Sequence, residues 1–183
     1  MKHFILASAS PRRREILAEH GYDFTVIPSN TEEAVCDELE PVEYVKLLAK
    51  QKAVEVFSRT KKLTLGADTI VVLDGQILGK PVNKSINAQF LKNLSGKSHY
   101  VYTGFAIVDK DLLIVDVDKT RVEFNSLTDK DIKLYVDSGL GLDKAGGYGI
   151  QDGFNLVKEI EGSFYNVVGL PIEKINQTFK ELK

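Results

Sequence analysis

Apolar positions along the chain follow two alternating patterns, which together predict an α/β fold. Short apolar runs indicate strands, and segments whose apolar residues recur every three or four positions indicate helices. The middle strands are joined by short turns such as Asp74-Gly75, which favours a mixed sheet over a doubly wound parallel one. Strands are predicted at residues 3–7, 23–27, 63–73, 76–78, 100–108, 112–124, 154–160 and 165–168, and helices at residues 14–20, 41–56, 86–94, 128–139 and 172–182.

The turn between the first strand and the first helix has the sequence Ser8-Ala9-Ser10-Pro11-Arg12-Arg13-Arg14. Ser10 is placed to cap the helix, and Pro11 follows at the first helical position, where a missing N–H costs nothing. The free N–H groups and the positive dipole end at such a turn can bind an anion. One interpretation is a capped helix with a solvated basic first turn. Because cations oppose the dipole there, the arginines favour the other interpretation, a phosphate site that includes the serine hydroxyls.

Three charged residues have unusual neighbours in the sequence. Asp68 lies within a β-rich run, which predicts that its carboxylate is paired or bound to a metal ion, since burying it alone is costly. Lys52 lies near an apolar helical stripe, so that its amine either reaches solvent or lies beside the phosphate site. Lys80 precedes Pro81, which favours an extended backbone that presents the amine outward.

The overall composition is that of a globular protein and excludes several classes. The chain has 183 residues, 43% hydrophobic and 27% charged, enough for one domain or two small lobes. A net charge of −2 provides no polycationic face for nucleic acid. The single cysteine, Cys36, has neutral or acidic neighbours, which indicates a passive thiol. Since no signal-peptide or membrane-spanning segment is apparent, we expect a cytoplasmic protein with no membrane partner.

Several motifs rich in charged residues, glycine and proline occur in a fixed order from residue 8 to residue 171. They are Ser8-x-Ser10-Pro11-Arg12-Arg13, Glu33, Lys52, Gly66-Ala67-Asp68-Thr69, Gly79-Lys80-Pro81, Ser95-Gly96-x-x-His99-x-Val101-x-Thr103-Gly104, Asp143-Lys144-Ala145-Gly146-x-Tyr148-x-Ile150-Gln151 and Asn166-x-x-Gly169-Leu170-Pro171. Together they resemble the Maf family of nucleoside triphosphate pyrophosphatases, also called septum-formation-inhibitor-like proteins.

The resemblance implies one domain over residues 1–183, with an elongated mixed β-sheet, flanking helices and two lobes around a central cleft, as in Maf and ITPase-like folds. It also implies a protein that is often dimeric. The implied reaction is hydrolysis of a nucleoside triphosphate to the monophosphate and pyrophosphate, with a divalent metal cation, Mg²⁺ or Mn²⁺, as cofactor. The general base falls on Asp68, and the metal ligands fall on Glu33 and Asp68. The substrate-binding positions are Ser8, Arg12, Arg13, Lys52, Thr69, Lys80 and Gln151.

Three of these positions, Arg12, Thr69 and Gln151, separate branches of the resembled family. Their combination resembles the branch that acts on dTTP and UTP rather than the one that acts on 7-methyl-GTP. The carboxamide of Gln151 can donate to a carbonyl and accept from an N–H, which suits the O4 and N3–H edge of thymine or uracil. A site built for that edge is expected to reject cytosine, which presents the opposite pattern.

Two positions depart from the family pattern. Leu140-Gly141 stands where Glu-Pro is usual, and we expect this to loosen the loop before Asp143. Asp152 follows Gln151 where glycine is usual. We expect Asp152 either to alter the turn after Gln151 or to take over its contact with the base.

The residue chemistry independently favours hydrolysis by direct attack of water. The cations can neutralise phosphates and the carboxylates can hold a hard metal ion, whereas no Ser-His-Asp or Cys-His set offers covalent catalysis. An alternative is a non-catalytic nucleotide-binding regulator of cell division and septum formation, which would use the same cations. Single-stranded nucleic-acid binding ranks last, because Tyr100 and Tyr102 lack a comparable run of basic neighbours.

Overall fold

The computed structural model describes residues 3–31 and 39–181, which form a mixed β-sheet flanked by helices. No helix in these two ranges is long and apolar enough to cross a membrane. The strands are β1 Phe4–Leu6, β2 Phe24–Val26, β3 Thr64–Leu73, β4 Gln76–Leu78, β5 Ser98–Asp109, β6 Leu112–Phe124 and β7 Val157–Glu161. The helices are α1 Pro11–Glu19, α2 Pro41–Thr60, α3 Lys84–Leu94, α4 Asp129–Ser138, α5 Phe164–Val168 and α6 Ile172–Glu181.

The sheet combines parallel and antiparallel pairs, as the sequence predicts. Its order is β2-β1-β3-β5-β6-β7, and β4 pairs with β3 outside that path. Strand β1 is parallel to β2 and β3, whereas β3–β4 and β6–β7 are antiparallel. Between β3 and β4, Asp74 and Gly75 have φ of 51° and 81°. A two-residue hairpin turn needs such left-handed conformations, which aspartate tolerates and glycine adopts freely.

The chain divides into two units, and three of the four boundaries fall within β3, β5 and β6, while the fourth follows α5. Unit 1 comprises Met1–Thr69, Thr103–Asp118 and Gly169–Lys183. Unit 2 comprises Ile70–Tyr102 and Lys119–Val168. Each unit contains buried apolar residues of its own.

In unit 1, α2 lies close against β3 and β5 because each strand has a glycine at the contact. A Cβ at Gly66 would lie 2.7 Å from the carbonyl oxygen of Ala49, and one at Gly104 would lie 2.6 Å from that of Val45. No side chain fits at either position without displacing backbone atoms. The close approach brings Lys52 of α2 against the face of β3 that includes Asp68.

Unit 2 has an apolar core in which His99 of β5 is buried. Its Nε2 lies 2.6 Å from the Tyr148 hydroxyl, and its ring packs edge-on against Phe124 and Tyr148. Within the described residues, Nδ1 has no hydrogen-bond partner. Because burial disfavours the imidazolium, the pKa of His99 falls from 6.5 to about 4. His99 is therefore neutral near pH 7.

We expect the free energy of unfolding to decrease as the pH falls from about 6.5 to 4. In this range unfolded His99 takes up a proton and folded His99 does not, so the unfolded state is favoured on acidification. The contribution lost is about 3 kcal/mol by pH 4. Urea denaturation at several pH values checks this. The His99→Gln variant should lose that part of the pH dependence, and an unchanged slope would contradict the assignment.

The predicted helices are all observed, but one predicted strand is wrong. Residues 165–168 belong to α5, a short helix preceded by Ser163, whose Oγ accepts the Asn166 N–H at 3.1 Å. A four-residue apolar run does not distinguish a strand from a buried helix. The strand predicted at residues 154–160 is also shorter than expected and begins at Val157.

Candidate active site

The turn before α1 forms as predicted, with Ser10 as the cap. Ser10 is extended, with φ −63° and ψ 120°, and its Oγ accepts the backbone N–H of Arg13 at 3.5 Å. Pro11 is the first helical residue. Ser8, which is buried, accepts the N–H of Ser10 at 3.3 Å through its own Oγ. The two hydroxyls therefore bind N–H groups of the turn and hold its shape.

Arg13 is buried, and its guanidinium connects three separate segments of unit 1. The residue is 8% exposed, and Nε donates to the carbonyl oxygen of Gly169 at 2.8 Å. Nη1 donates to the carbonyl oxygen of Ala67 at 2.9 Å and to Ser8 Oγ at 3.0 Å. Nη2 donates to Thr69 Oγ1 at 3.0 Å. A planar guanidinium can satisfy several fixed acceptors at once, so Arg13 holds these segments in register.

The hydroxyl of Thr69 is held by the same network. It accepts from Arg13 Nη2, and its Oγ1 lies 3.0 Å from Oγ1 of Thr103, a buried residue of β5. The Gly169 carbonyl oxygen lies 3.5 Å from Thr69 Oγ1. The orientation of Thr69 is therefore determined by contacts from three segments of unit 1.

Asp68 forms an ion pair with Lys52, which confirms that its carboxylate is paired. Lys52 Nζ contacts Asp68 Oδ1, and the two side chains are 14% and 11% exposed. Successive strand residues point to opposite faces of a sheet, so Asp68 faces α2 and Thr69 faces the other side. The amine of Lys52 thus lies beside Asp68 rather than in solvent.

The other predicted site residues have different positions. Arg12 is half-buried in the first turn of α1, and Arg14, in the same turn, is exposed. Lys80, after β4, and Gln151 are exposed and belong to unit 2. Glu33 lies outside the described residues.

The turn around Gln151 is closed by a backbone hydrogen bond of Asp152, and the Asp152 side chain contacts other protein groups. The Asp152 N–H donates to the carbonyl oxygen of Gly149 at 3.2 Å, and Gly153 follows with φ +78°. The carboxylate of Asp152 accepts a hydrogen bond from Tyr135 at 2.6 Å, whereas Gln151 is exposed. The Asp152 carboxylate is thus engaged by protein groups, whereas the side chain of Gln151 faces solvent.

For some residues of these networks the sequence alone predicts no function. Thr103 and Gly169 were part of the motifs, and a buried threonine or a glycine with φ +122° is recognisable only once its neighbours are known. Lys144 and Tyr135 likewise acquire meaning through their contacts with Asp152. Spacing alone does not show such contacts.

The side chains of unit 1 have the chemistry for binding a polyphosphate and accepting a proton. Arg12 and the first turn of α1 provide positive charge and N–H groups. Asp68 provides a carboxylate oriented by Lys52. Among the described residues, no cluster of three or more His, Cys, Asp and Glu side chains could hold a metal ion.

Comparison with known proteins gives matches over almost the whole chain. A dTTP/UTP pyrophosphatase from Caldicellulosiruptor saccharolyticus is 43% identical over 190 residues, which cover 100% of this chain and 96% of that protein. A protein of the same name from a Thermoanaerobacter species is 47% identical over 181 residues, with 96% and 94% covered.

The structure of the Staphylococcus aureus Ham1 protein has the same fold, with a TM-score of 0.60, 14% identity and 100% of both chains covered. At that identity the likeness concerns the fold alone. The family model described as Maf-like protein matches residues 3–182. This match, with the two relatives above, shows that the chain belongs to the Maf family.

Proposed function

We propose that this protein hydrolyses dTTP and UTP to the nucleoside monophosphate and pyrophosphate. The observation that supports this most is the buried Asp68–Lys52 pair, which presents a carboxylate in the unit that also contains the arginine-rich turn. Relatives at 43% and 47% identity are named dTTP/UTP pyrophosphatase. The proposal transfers that activity to this chain.

Phosphate binding is assigned first to the turn before α1. Arg12 and the N–H groups at the start of α1 neutralise charge on the phosphates, which is the main requirement of phosphoryl transfer. Arg13 holds Ser8 and Thr69 in place through its hydrogen bonds. We also propose that Lys80 and Gln151 of unit 2 contact the substrate, as the sequence predicts.

The donors in unit 1 fit a divalent cation that takes few ligands from the protein. Mg²⁺ commonly keeps several waters and binds one or two carboxylates together with substrate phosphates. One carboxylate from the part of the chain that the structure describes is therefore compatible with Mg²⁺. We assign Asp68 to this role, with Glu33, outside the described residues, as the second carboxylate. The bound ion would neutralise phosphate charge and make a bound water more acidic.

Asp68 is assigned as the general base. Its carboxylate takes a proton from the water that attacks the α-phosphorus, while the bond from that phosphorus to the bridging oxygen breaks and pyrophosphate leaves. Lys52 orients the carboxylate through Oδ1. Direct attack by water is proposed because the sequence contains no Ser-His-Asp or Cys-His set for covalent catalysis.

Thymine and uracil are the proposed bases. Gln151 can donate to O4 and accept from N3–H with its carboxamide, and cytosine presents the reverse pattern at those positions. We therefore expect kcat/KM to be highest for dTTP and UTP, and much lower for CTP and 7-methyl-GTP.

The test is turnover of the purified protein with Mg²⁺ and each of these four nucleotides. We expect dTTP to give dTMP and pyrophosphate in equal amounts, and excess EDTA to abolish the reaction. Tight binding of dTTP without turnover would support the alternative, a nucleotide-binding regulator. A preference for CTP or 7-methyl-GTP would contradict the assignment of the base.

A further inference from the structure

Unit 2 contains a buried charged cluster, formed by Lys144, Asp152 and Tyr135, that the proposed reaction does not use. Lys144 Nζ lies 3.4 Å from Asp152 Oδ2, and the side chains are 9% and 8% exposed. Burying two charges costs several kcal/mol per ion unless their remaining hydrogen-bonding groups are satisfied. Such a pair needs further partners, and the structure provides them.

The ammonium of Lys144 has two hydrogen-bond acceptors and an ion pair with Asp152. It donates to the carbonyl oxygen of Leu140 and to Asp143 Oδ1, the latter at 3.1 Å, and it pairs with Asp152. Asp143 differs from Asp152 in that its side chain is 59% exposed. Lys144 therefore joins a solvated carboxylate, a backbone carbonyl and a buried carboxylate.

Tyr135 completes the surroundings of Asp152. Its hydroxyl donates to Asp152 Oδ2 at 2.6 Å and accepts the N–H of Gly149 at 2.9 Å. Burial, together with the hydrogen bond to Asp152, raises the pKa of Tyr135, so the phenol stays protonated and keeps its donor. The ring packs edge-on against Phe154, with centroids 5.0 Å apart.

These contacts close residues 149–152 into a turn around the Asp152 carboxylate. The Asp152 N–H donates to the Gly149 carbonyl oxygen at 3.2 Å. A Cβ at Gly149 would lie 2.5 Å from Asp152 Oδ2, so the carboxylate lies directly on the Gly149 backbone. Gln151 is the exposed residue inside this turn.

We propose that Asp152, held by Lys144 and Tyr135, is a positioning residue that fixes Gln151 for recognition of the base. This rests on the proposed function, in which the Gln151 carboxamide contacts thymine or uracil. A glutamine side chain is flexible, and hydrogen-bond selectivity between bases requires that its backbone be fixed. The buried ion pair and the tyrosine hydroxyl provide that support.

The test compares kcat/KM for dTTP and CTP in wild type, Asp152→Ala, Asp152→Asn and Tyr135→Phe. We expect the ratio of kcat/KM for dTTP to kcat/KM for CTP to fall about tenfold or more in Asp152→Ala. KM for dTTP should rise, and kcat should change little. Asp152→Asn keeps an acceptor for Tyr135, so its dTTP/CTP ratio should fall less than that of Asp152→Ala. Tyr135→Phe removes the hydroxyl that joins Asp152 to Gly149 and should also lower the ratio. Thermal unfolding confirms that each variant is folded.

Asp143→Asn is the matched control. Asp143 also contacts Lys144, but its carboxylate is exposed to solvent, whereas that of Asp152 is buried and accepts the hydrogen bond from Tyr135. The dTTP/CTP ratio of Asp143→Asn should equal that of wild type. If Gln151→Ala lowers the ratio while folded Asp152→Ala and Tyr135→Phe retain it, the positioning role is wrong and the proposed function stands. If Gln151→Ala leaves the ratio unchanged, or wild type does not hydrolyse dTTP, the positioning role of Asp152 is wrong, and so is the assignment of Gln151 to the base.

Discussion

Replacing Asp68 by asparagine is expected to lower kcat for dTTP by about 10²–10⁴-fold. Asparagine has nearly the same shape but cannot take a proton from water at neutral pH. It still accepts a hydrogen bond from Lys52, so the protein should remain folded. Because Lys52 loses its counter-charge in a largely buried position, the free energy of unfolding should fall by about 2 kcal/mol. Steady-state kinetics and urea denaturation measure the two effects separately.

The matched control for this variant is Asp74→Asn, the same substitution in the turn after β3. Asp74 is exposed and has φ 51°, a conformation that asparagine also tolerates. Its kcat should equal that of wild type. If the Asp68→Asn protein is folded and keeps near-normal turnover, Asp68 serves only to pair with Lys52, and the assignment of the base is wrong.

Replacing Arg13 by alanine is expected to lower the free energy of unfolding by about 3–5 kcal/mol. The change removes donors to two backbone carbonyls and two hydroxyls, most of them in the interior of unit 1. Arg13→Lys keeps the charge but not the planar set of donors, so it should recover only part of the loss. Urea denaturation of both variants provides the measurement.

The neighbouring arginines serve as controls for Arg13. Arg14 is exposed on the same helix, and Arg14→Ala should change the free energy of unfolding by no more than about 0.5 kcal/mol. Arg12→Ala should raise KM for dTTP, since Arg12 is assigned to the phosphates. A small effect of Arg13→Ala on stability, or an unchanged KM for dTTP in Arg12→Ala, would contradict the corresponding assignment.

Most of the fold is predictable because periodicity and capping residues act locally. The Ser10 cap and the capping box of Thr128 and Asp131 are both observed. Residues 165–168, for which the sequence wrongly predicts a strand, form a helix that depends on distant contacts. The Asn166 amide donates to the carbonyl oxygen of Val101 and to Thr120 Oγ1, and no local pattern shows such partners.

The candidate site shows the same distinction between local and distant information. The pairing of Asp68 follows from the cost of burying a carboxylate, although the sequence leaves its partner open. For Arg13 the sequence predicts contact with a ligand, and the structure adds its hydrogen bonds to three protein segments. Asp152 is identifiable as unusual in the sequence, but its link to Lys144 appears only after the chain has folded.

Hydrolysis of dTTP in H₂¹⁸O, followed by mass spectrometry of the products, tests the central claim most directly. Attack of water on the α-phosphorus predicts dTMP that contains one ¹⁸O and pyrophosphate that contains none. Inorganic phosphate with dTDP, or ¹⁸O in the pyrophosphate, would contradict it.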